Sequence, residues 1–223
     1  MKVAVLRFPG TNCEFDTQYA FEKLGHTTEL VWHENEQLSE GIDLVVVPGG
    51  FSYGDYLRSG SIARFSPVMK AVTAYANAGG KVLGICNGFQ ILTEAGLLPG
   101  ALKRNNNLHF ISKHQNLCVI NNDNAFLNKC DKGEVLNIPI AHADGNYYID
   151  EEGFKKIEAN GQILLRYSDD KGEPVVVNGS VTSIAGVCNV AKNVFGLMPH
   201  PERALEAILG SEDGIRMLKG FEA

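Results

Sequence analysis

Three short stretches carry side chains that could do chemistry together. In the first, Lys81-Val82-Leu83-Gly84-Ile85-Cys86-Asn87-Gly88-Phe89-Gln90, glycines stand two residues before and two after Cys86. A short apolar run feeding a small-residue turn and then helix-like spacing is the pattern of a nucleophile elbow. The strained turn pushes one side chain out, and small neighbours let the backbone crowd in. The turn also sets the thiol at a helix N-terminus, where the positive end of the dipole favours a thiolate. Cys86 is the candidate nucleophile.

The second stretch is Met198-Pro199-His200-Pro201-Glu202-Arg203. Each proline forces its predecessor away from helix, so Met198 and His200 are expected to be extended, with His200 and Glu202 projecting to the same side. A carboxylate beside an imidazole fixes its tautomer and stabilises its cation. The third stretch is Pro48-Gly49-Gly50-Phe51-Ser52-Tyr53-Gly54-Asp55, whose paired glycines leave backbone N–H groups open to an oxyanion. The Asn87 N–H could supply the second donor. Losing one such donor costs on the order of 2.7–4 kcal/mol of transition-state stabilisation.

Competing histidines are weaker candidates. His142-Ala143-Asp144 repeats the spacing but adjoins Gly145-Asn146-Tyr147, which reads as a flexible turn. His109 and His114 lie in an asparagine-rich region with no neighbouring carboxylate, His26 and His33 sit near early element ends, and all four read as solvated or structural. No cluster has metal-ligand spacing, and neither phosphate-cradling glycine motif is present, so no metal or nucleotide is expected on this chain.

These stretches need a scaffold that brings strand ends together. Strands are expected at Val3–Leu6, Glu29–Trp32, Ile42–Val47 and Val82–Ile85, with helices at Cys13–Leu24 and from Ser66-Pro67 to Gly79-Gly80. Continuous β-branched runs alternating with helices imply a mostly parallel sheet covered on both faces, with ligands beyond the carboxyl ends of the strands. The second half reads as more antiparallel, with strands at Leu117–Ile120, Val135–Ile140, Gln162–Tyr167, Pro174–Val177 and Ser183–Val190. Helices follow at Glu151–Ala159 and from about Ala204. The fold class is therefore α/β, three layers around a mixed, mostly parallel sheet, plus a smaller antiparallel region.

The whole chain, 1–223, reads as one domain. Its formal net charge of −6 argues against nucleic acid or an anionic membrane as partner. No apolar run approaches a membrane span, and the N-terminus reads as a first strand rather than a signal peptide. The five cysteines are odd in number and form no C-x-x-C pair, which fits a reducing cytoplasm.

Gly84, Cys86, Gly88 and Gln90 match G-x-C-x-G-x-Q, and His200 and Glu202 match H-x-E. On these residues the chain resembles the class I (triad) glutamine amidotransferases. Arg7-Phe8-Pro9-Gly10-Thr11-Asn12-Cys13, Phe51 to Asp55, Ala141 to Tyr147, Asn178-Gly179-Ser180 with Ile184-Ala185-Gly186, and Met198 to Arg203 are similar to the glutaminase subunits of phosphoribosylformylglycinamidine synthases. One departure is that Val176-Val177 stand before Asn178-Gly179-Ser180, where those subunits show Asn-Pro.

The resemblance implies a flavodoxin-like amidotransferase fold and a Cys86–His200–Glu202 triad that hydrolyses L-glutamine through a thioester. It implies an oxyanion hole near Gly50, Phe51 and Asn87, and glutamine held by Phe51 and Gln90. It also implies an ATP- and Mg-using synthetase partner, to which the ammonia passes, and a small third subunit. The rival readings are a thiol hydrolase or peptidase-like protein of the same fold without a synthetase, and a non-catalytic flavodoxin-like binding module.

Overall fold

A computed structural model describes residues 1–222. In chain order the elements are β1 (Lys2–Arg7), α1 (Glu14–Lys23), β2 (Thr27–Trp32), β3 (Leu44–Val47), α2 (Pro67–Asn77), β4 (Lys81–Ile85), α3 (Asn87–Glu94) and β5 (Ala101–Lys103). They continue with β6 (Ile111–Val119), β7 (Val135–His142), β8 (Asn146–Tyr148), α4 (Glu151–Ala159), β9 (Ile163–Tyr167), β10 (Ile184–Cys188), β11 (Val194–Leu197) and α5 (Gly214–Lys219).

The main sheet runs β2-β1-β3-β4-β11-β10-β9-β6-β7. From β2 to β11 every pairing is parallel, and from β11 to β7 every pairing is antiparallel. The parallel half follows from composition. Leu44–Val47 is wholly buried, as is Val82–Ile85, and such runs need helices on both faces. α1 packs on β1 and β2, α2 on β4, and α3 on β3, β4 and β11. The expected α/β architecture is present, and its smaller antiparallel part includes a separate β5–β8 pair.

This order has one decisive consequence. β1, β3, β4 and β11 lie side by side and point the same way, so the loops leaving their carboxyl ends share one edge of the sheet. Those loops carry Asn12-Cys13, Gly49-Gly50-Phe51, Cys86-Asn87 and His200-Glu202. Residues far apart in sequence are brought together by adjacency of strands.

Helix α4 starts where expected because Asp150 caps it, its side chain accepting from Gly153 N–H at 2.7 Å. Three expectations need correction. Pro174–Val177 is not a strand. β9 already has β6 and β10 on its two edges, so this segment makes only the bridge of Ser168 with Pro174, and proline has no N–H to extend it. The closing helix does not begin at Ala204, because short 3-10 turns fill Pro201–Arg203 and Ala207–Leu209. The left-handed Gly210 then delays α5 to Gly214. Asn146–Tyr147 is not a flexible turn, since both residues are buried in β8.

Candidate active site

Cys86 sits between β4 and α3 with φ +51° and ψ −105°, a conformation that costs a non-glycine residue roughly 1–3 kcal/mol. The surroundings over-determine it. Its N–H donates to Leu197 O at 2.8 Å, and its carbonyl accepts from Gln90 N–H at 3.2 Å. The flanking glycines are required by contact. A Cβ at Gly84 would stand 2.6 Å from Leu92 Cδ1 and 2.8 Å from Gly88 C, and one at Gly88 would collide with the Val47 carbonyl.

His200 and Glu202 are 2% and 3% exposed. His200 Nδ1 meets Glu202 Oε1 at 2.7 Å, and the His200 N–H donates to Pro139 O at 2.8 Å. The pair is made across the Pro201–Arg203 turn rather than along an extended segment. Burial pulls the imidazole's pKa down, but the Glu202 carboxylate and the Cys86 and Cys13 sulfurs outweigh it and hold His200 well above the ordinary histidine value. His200 Nε2 is buried without a hydrogen-bond partner among the described residues.

Cys86, His200, Gly50 and Phe51 line one cavity of about 110 Å³ with Asn12, Cys13, Phe110, Ala141 and Arg203. A Cβ at Gly49 would stand 2.9 Å from His200 Cε1, 3.0 Å from Cys13 Sγ and 3.5 Å from Cys86 Cβ. Glycine is therefore needed here for the close approach of His200, Cys13 and Cys86. The Cys86 sulfur also lies 3.7 Å from Ala141 O.

The two donor loops are tied together by the Ser52 N–H, which donates to Asn87 Oδ1 at 3.0 Å. The Asn87 N–H opens α3, where no carbonyl of its own helix reaches it. The bridge between Thr11 and Gly50 uses the Phe51 N–H, which donates to Gly10 O at 2.9 Å, and the Asn12 N–H. The Gly50 N–H lies outside that bridge, whereas that of Phe51 is already engaged.

Gln90 stands back from the cavity. Its Oε1 accepts from Asn87 Nδ2 at 2.8 Å and its Nε2 donates to Asp144 O at 2.7 Å, so its carboxamide braces the elbow against the loop after β7. Below it, Ser59 Oγ donates to Asp144 Oδ2 at 3.0 Å. Burial, then the nearby Asp144 charge, pushes the Asp55 carboxyl up to about 6.

His142, the competing histidine, is buried at the end of β7, its Nε2 accepting from Asn178 Nδ2 at 3.0 Å. Burial, then the nearby His200, pushes its pKa down to about 4. A tethered, neutral imidazole is a poor proton shuttle, and of the two histidines only His200 has a carboxylate on one ring nitrogen. The departure at Val176 falls on an exposed side chain, while Asn178 is buried in this knot.

Sequence reasoning missed Cys13, Arg203 and Phe110 on the cavity wall. Cys13 and Arg203 had a usable signal, since one follows β1 and the other follows the His–Glu pair. Phe110 had none, because it comes from a polar loop.

The geometry is that of a thiol amide hydrolase, and comparison with known proteins agrees. Residues 1–213 match the family described as the CobB/CobQ-like glutamine amidotransferase domain. This chain belongs to the glutamine amidotransferases. Among amidotransferase relatives, phosphoribosylformylglycinamidine synthase subunit PurQ of Sulfurimonas denitrificans is 67% identical over 99% of both chains. The subunit of that name from Campylobacter jejuni is 58% identical over 99% of this chain and 96% of its own. A chain in the structure of PurLQS from Thermotoga maritima superposes with a TM-score of 0.89 at 43% identity, covering 99% of this amidotransferase and 97% of that chain.

Proposed function

We propose that this amidotransferase is the glutaminase subunit of a phosphoribosylformylglycinamidine synthase. The observation that carries the reading is the convergence of Cys86, His200 and Gly50 on one cavity in a chain matched end to end by subunits of that name.

In the proposed reaction His200 takes the Cys86 proton, and the thiolate attacks the side-chain amide of L-glutamine. The tetrahedral oxyanion rests on the Gly50 and Asn87 N–H groups. Glu202 holds the imidazolium, which protonates the departing ammonia, and water drawn by His200 then cleaves the γ-glutamyl thioester. Phe51 covers the glutamine. Gln90 acts through Asn87 and Asp144 by holding the elbow in place.

Free ammonia is protonated in bulk water and lost as a nucleophile, so it must pass directly into a synthetase. ATP and Mg belong to that synthetase partner, which converts formylglycinamide ribonucleotide to formylglycinamidine ribonucleotide. A small third subunit completes the complex, and this chain needs no cofactor or metal for its own step. The Phe51 N–H, now given to Gly10 O, becomes a further oxyanion donor when the partner docks and the Gly50–Phe51 peptide turns. The five unpaired cysteines support a cytoplasmic location.

The test is the reconstituted complex carrying Cys86→Ala. Synthesis driven by glutamine should vanish, while synthesis from added ammonia should persist. Loss of both would contradict a separate glutaminase site, and full glutaminase activity of the isolated chain, unchanged by its partner, would favour a free-standing thiol hydrolase.

A further inference from the structure

One side chain on the cavity wall has no part in amide hydrolysis. Cys13, at the start of α1, is 2% exposed. Its sulfur, a His200 ring nitrogen and a Glu202 carboxylate oxygen all lie within 4.8 Å of one another. Cys86 and Cys13 both line this small cavity together with His200. The point that a Gly49 side chain would fill is bordered at once by His200, Cys13 and Cys86.

Two thiols and an imidazole are the ligand set of a thiophilic divalent cation. A second observation points the same way. His200 lines the cavity, and its Nε2 is buried without a hydrogen-bond partner among the described residues, while Nδ1 is fixed by Glu202 at 2.7 Å. An imidazole that ligates zinc through one nitrogen and donates its other N–H to a carboxylate is the usual outer-shell arrangement of a zinc site.

We propose that Cys13, Cys86 and His200 form a binding site for Zn²⁺, which caps the nucleophile and reversibly silences the hydrolase. The fourth position faces the cavity mouth. Zinc–sulfur and zinc–nitrogen bonds of roughly 2.3 and 2.0–2.1 Å place tetrahedral ligand atoms roughly 3.3–3.8 Å apart. The Cys13 sulfur and a His200 ring nitrogen already lie within 4.8 Å of each other, and Cys86 joins them by turning its sulfur away from Ala141 O. Binding releases two protons, one from Cys13 and one from the Cys86–His200 pair, and leaves two thiolates balancing the ion. Glu202 stays on Nδ1. The site depends on the side chains themselves and stands whatever amide the cavity takes.

Titrating the full chain with Co²⁺ alone under anaerobic conditions, then displacing it with Zn²⁺, tests this. One equivalent should bind with a near-ultraviolet thiolate-to-cobalt absorption of two-thiolate strength. Cys13→Ser should halve that absorption and weaken Zn²⁺ binding at least tenfold, with Cys13→Ala as the second variant should the serine disturb folding. Cys118→Ser, remote from the cavity, should leave metal binding and glutaminase rate unchanged. Zn²⁺ should abolish glutaminase activity until a chelator is added, and the Cys13 variants, each scored against its own metal-free rate, should need at least tenfold more. Equal affinity and absorption in the Cys13 variants and the parent, or no thiolate absorption in the parent, would overturn the proposal. Failure of glutamine hydrolysis alone would leave the binding result intact.

Discussion

The His200 imidazole and the Glu202 carboxylate meet at 2.7 Å across a 3-10 turn whose first residue is Pro201. Neither group is solvated, so the turn must deliver the carboxylate to Nδ1 without help from water. Glu202→Gln keeps the shape but removes the charge that stabilises the imidazolium. Glutaminase kcat of the assembled complex should fall on the order of 10³–10⁴-fold with KM little changed, and the thermal melt should remain cooperative. A loss smaller than tenfold in steady-state kinetics would show that Glu202 does not orient the base.

His142 makes stability depend on acid. Its folded pKa of about 4 lies below the ordinary histidine value, so its contribution is full above about pH 6.5 and is lost as pH falls toward 4. Between pH 7 and pH 4.5 this one group should remove about 2–3 kcal/mol of unfolding free energy. Denaturant titrations of the parent and of His142→Asn at both pH values measure it. Equal slopes with pH in the two proteins would refute the assignment.

Asp55 acts in the opposite sense. A carboxyl raised to about 6 favours the folded state below about pH 3.8, and that advantage is lost as pH rises through 6. Above that pH a charged Asp55 sits beside Asp144 at a cost. Asp55→Asn should therefore stabilise the chain by about 1 kcal/mol at pH 7.5, after allowance for screening of a half-exposed group, and by nothing below pH 4. Destabilisation at pH 7.5 in the same denaturant assay would contradict this.

What was legible in the sequence was what local sterics and periodicity encode. The elbow was readable because Gly84 and Gly88 are dictated by contacts within a few residues and by the strand beside them. Helix Glu151–Ala159 was readable because Asp150 caps it and Glu151–Lys155 and Glu152–Lys156 pair along it. The strand β6 grew from Leu117–Ile120 to Ile111–Val119 because Ser112, Lys113 and His114 pair with β7 while facing solvent, which leaves no apolar alternation to detect. Cys13 reached the site through the order of β1, β3, β4 and β11, and strand order is a tertiary property. Gln90 matched its motif, but only the fold showed its carboxamide turned toward Asp144.

Exposed apolar side chains follow the glycine loop and flank Phe110. Phe51 and Phe110 line the cavity, Tyr56 and Leu57 come next after the loop, and Leu108 stands two residues before Phe110, all five exposed. In the proposed complex this rim is where a synthetase would seal the ammonia path. Leu57→Asp should weaken association with the synthetase about tenfold or more, the effect of losing one apolar anchor, while the isolated chain melts as before. Unchanged affinity by calorimetry would place the docking surface elsewhere.

The central claim is that Cys86 is the nucleophile, although Cys13 shares its cavity. Labelling the assembled complex with a glutamine-analogue electrophile, followed by peptide mass mapping, separates the two. A single adduct is expected, on the peptide holding Cys86, blocked by excess glutamine and unaffected by Cys13→Ser. An adduct on Cys13, or on any cysteine other than Cys86, would contradict it.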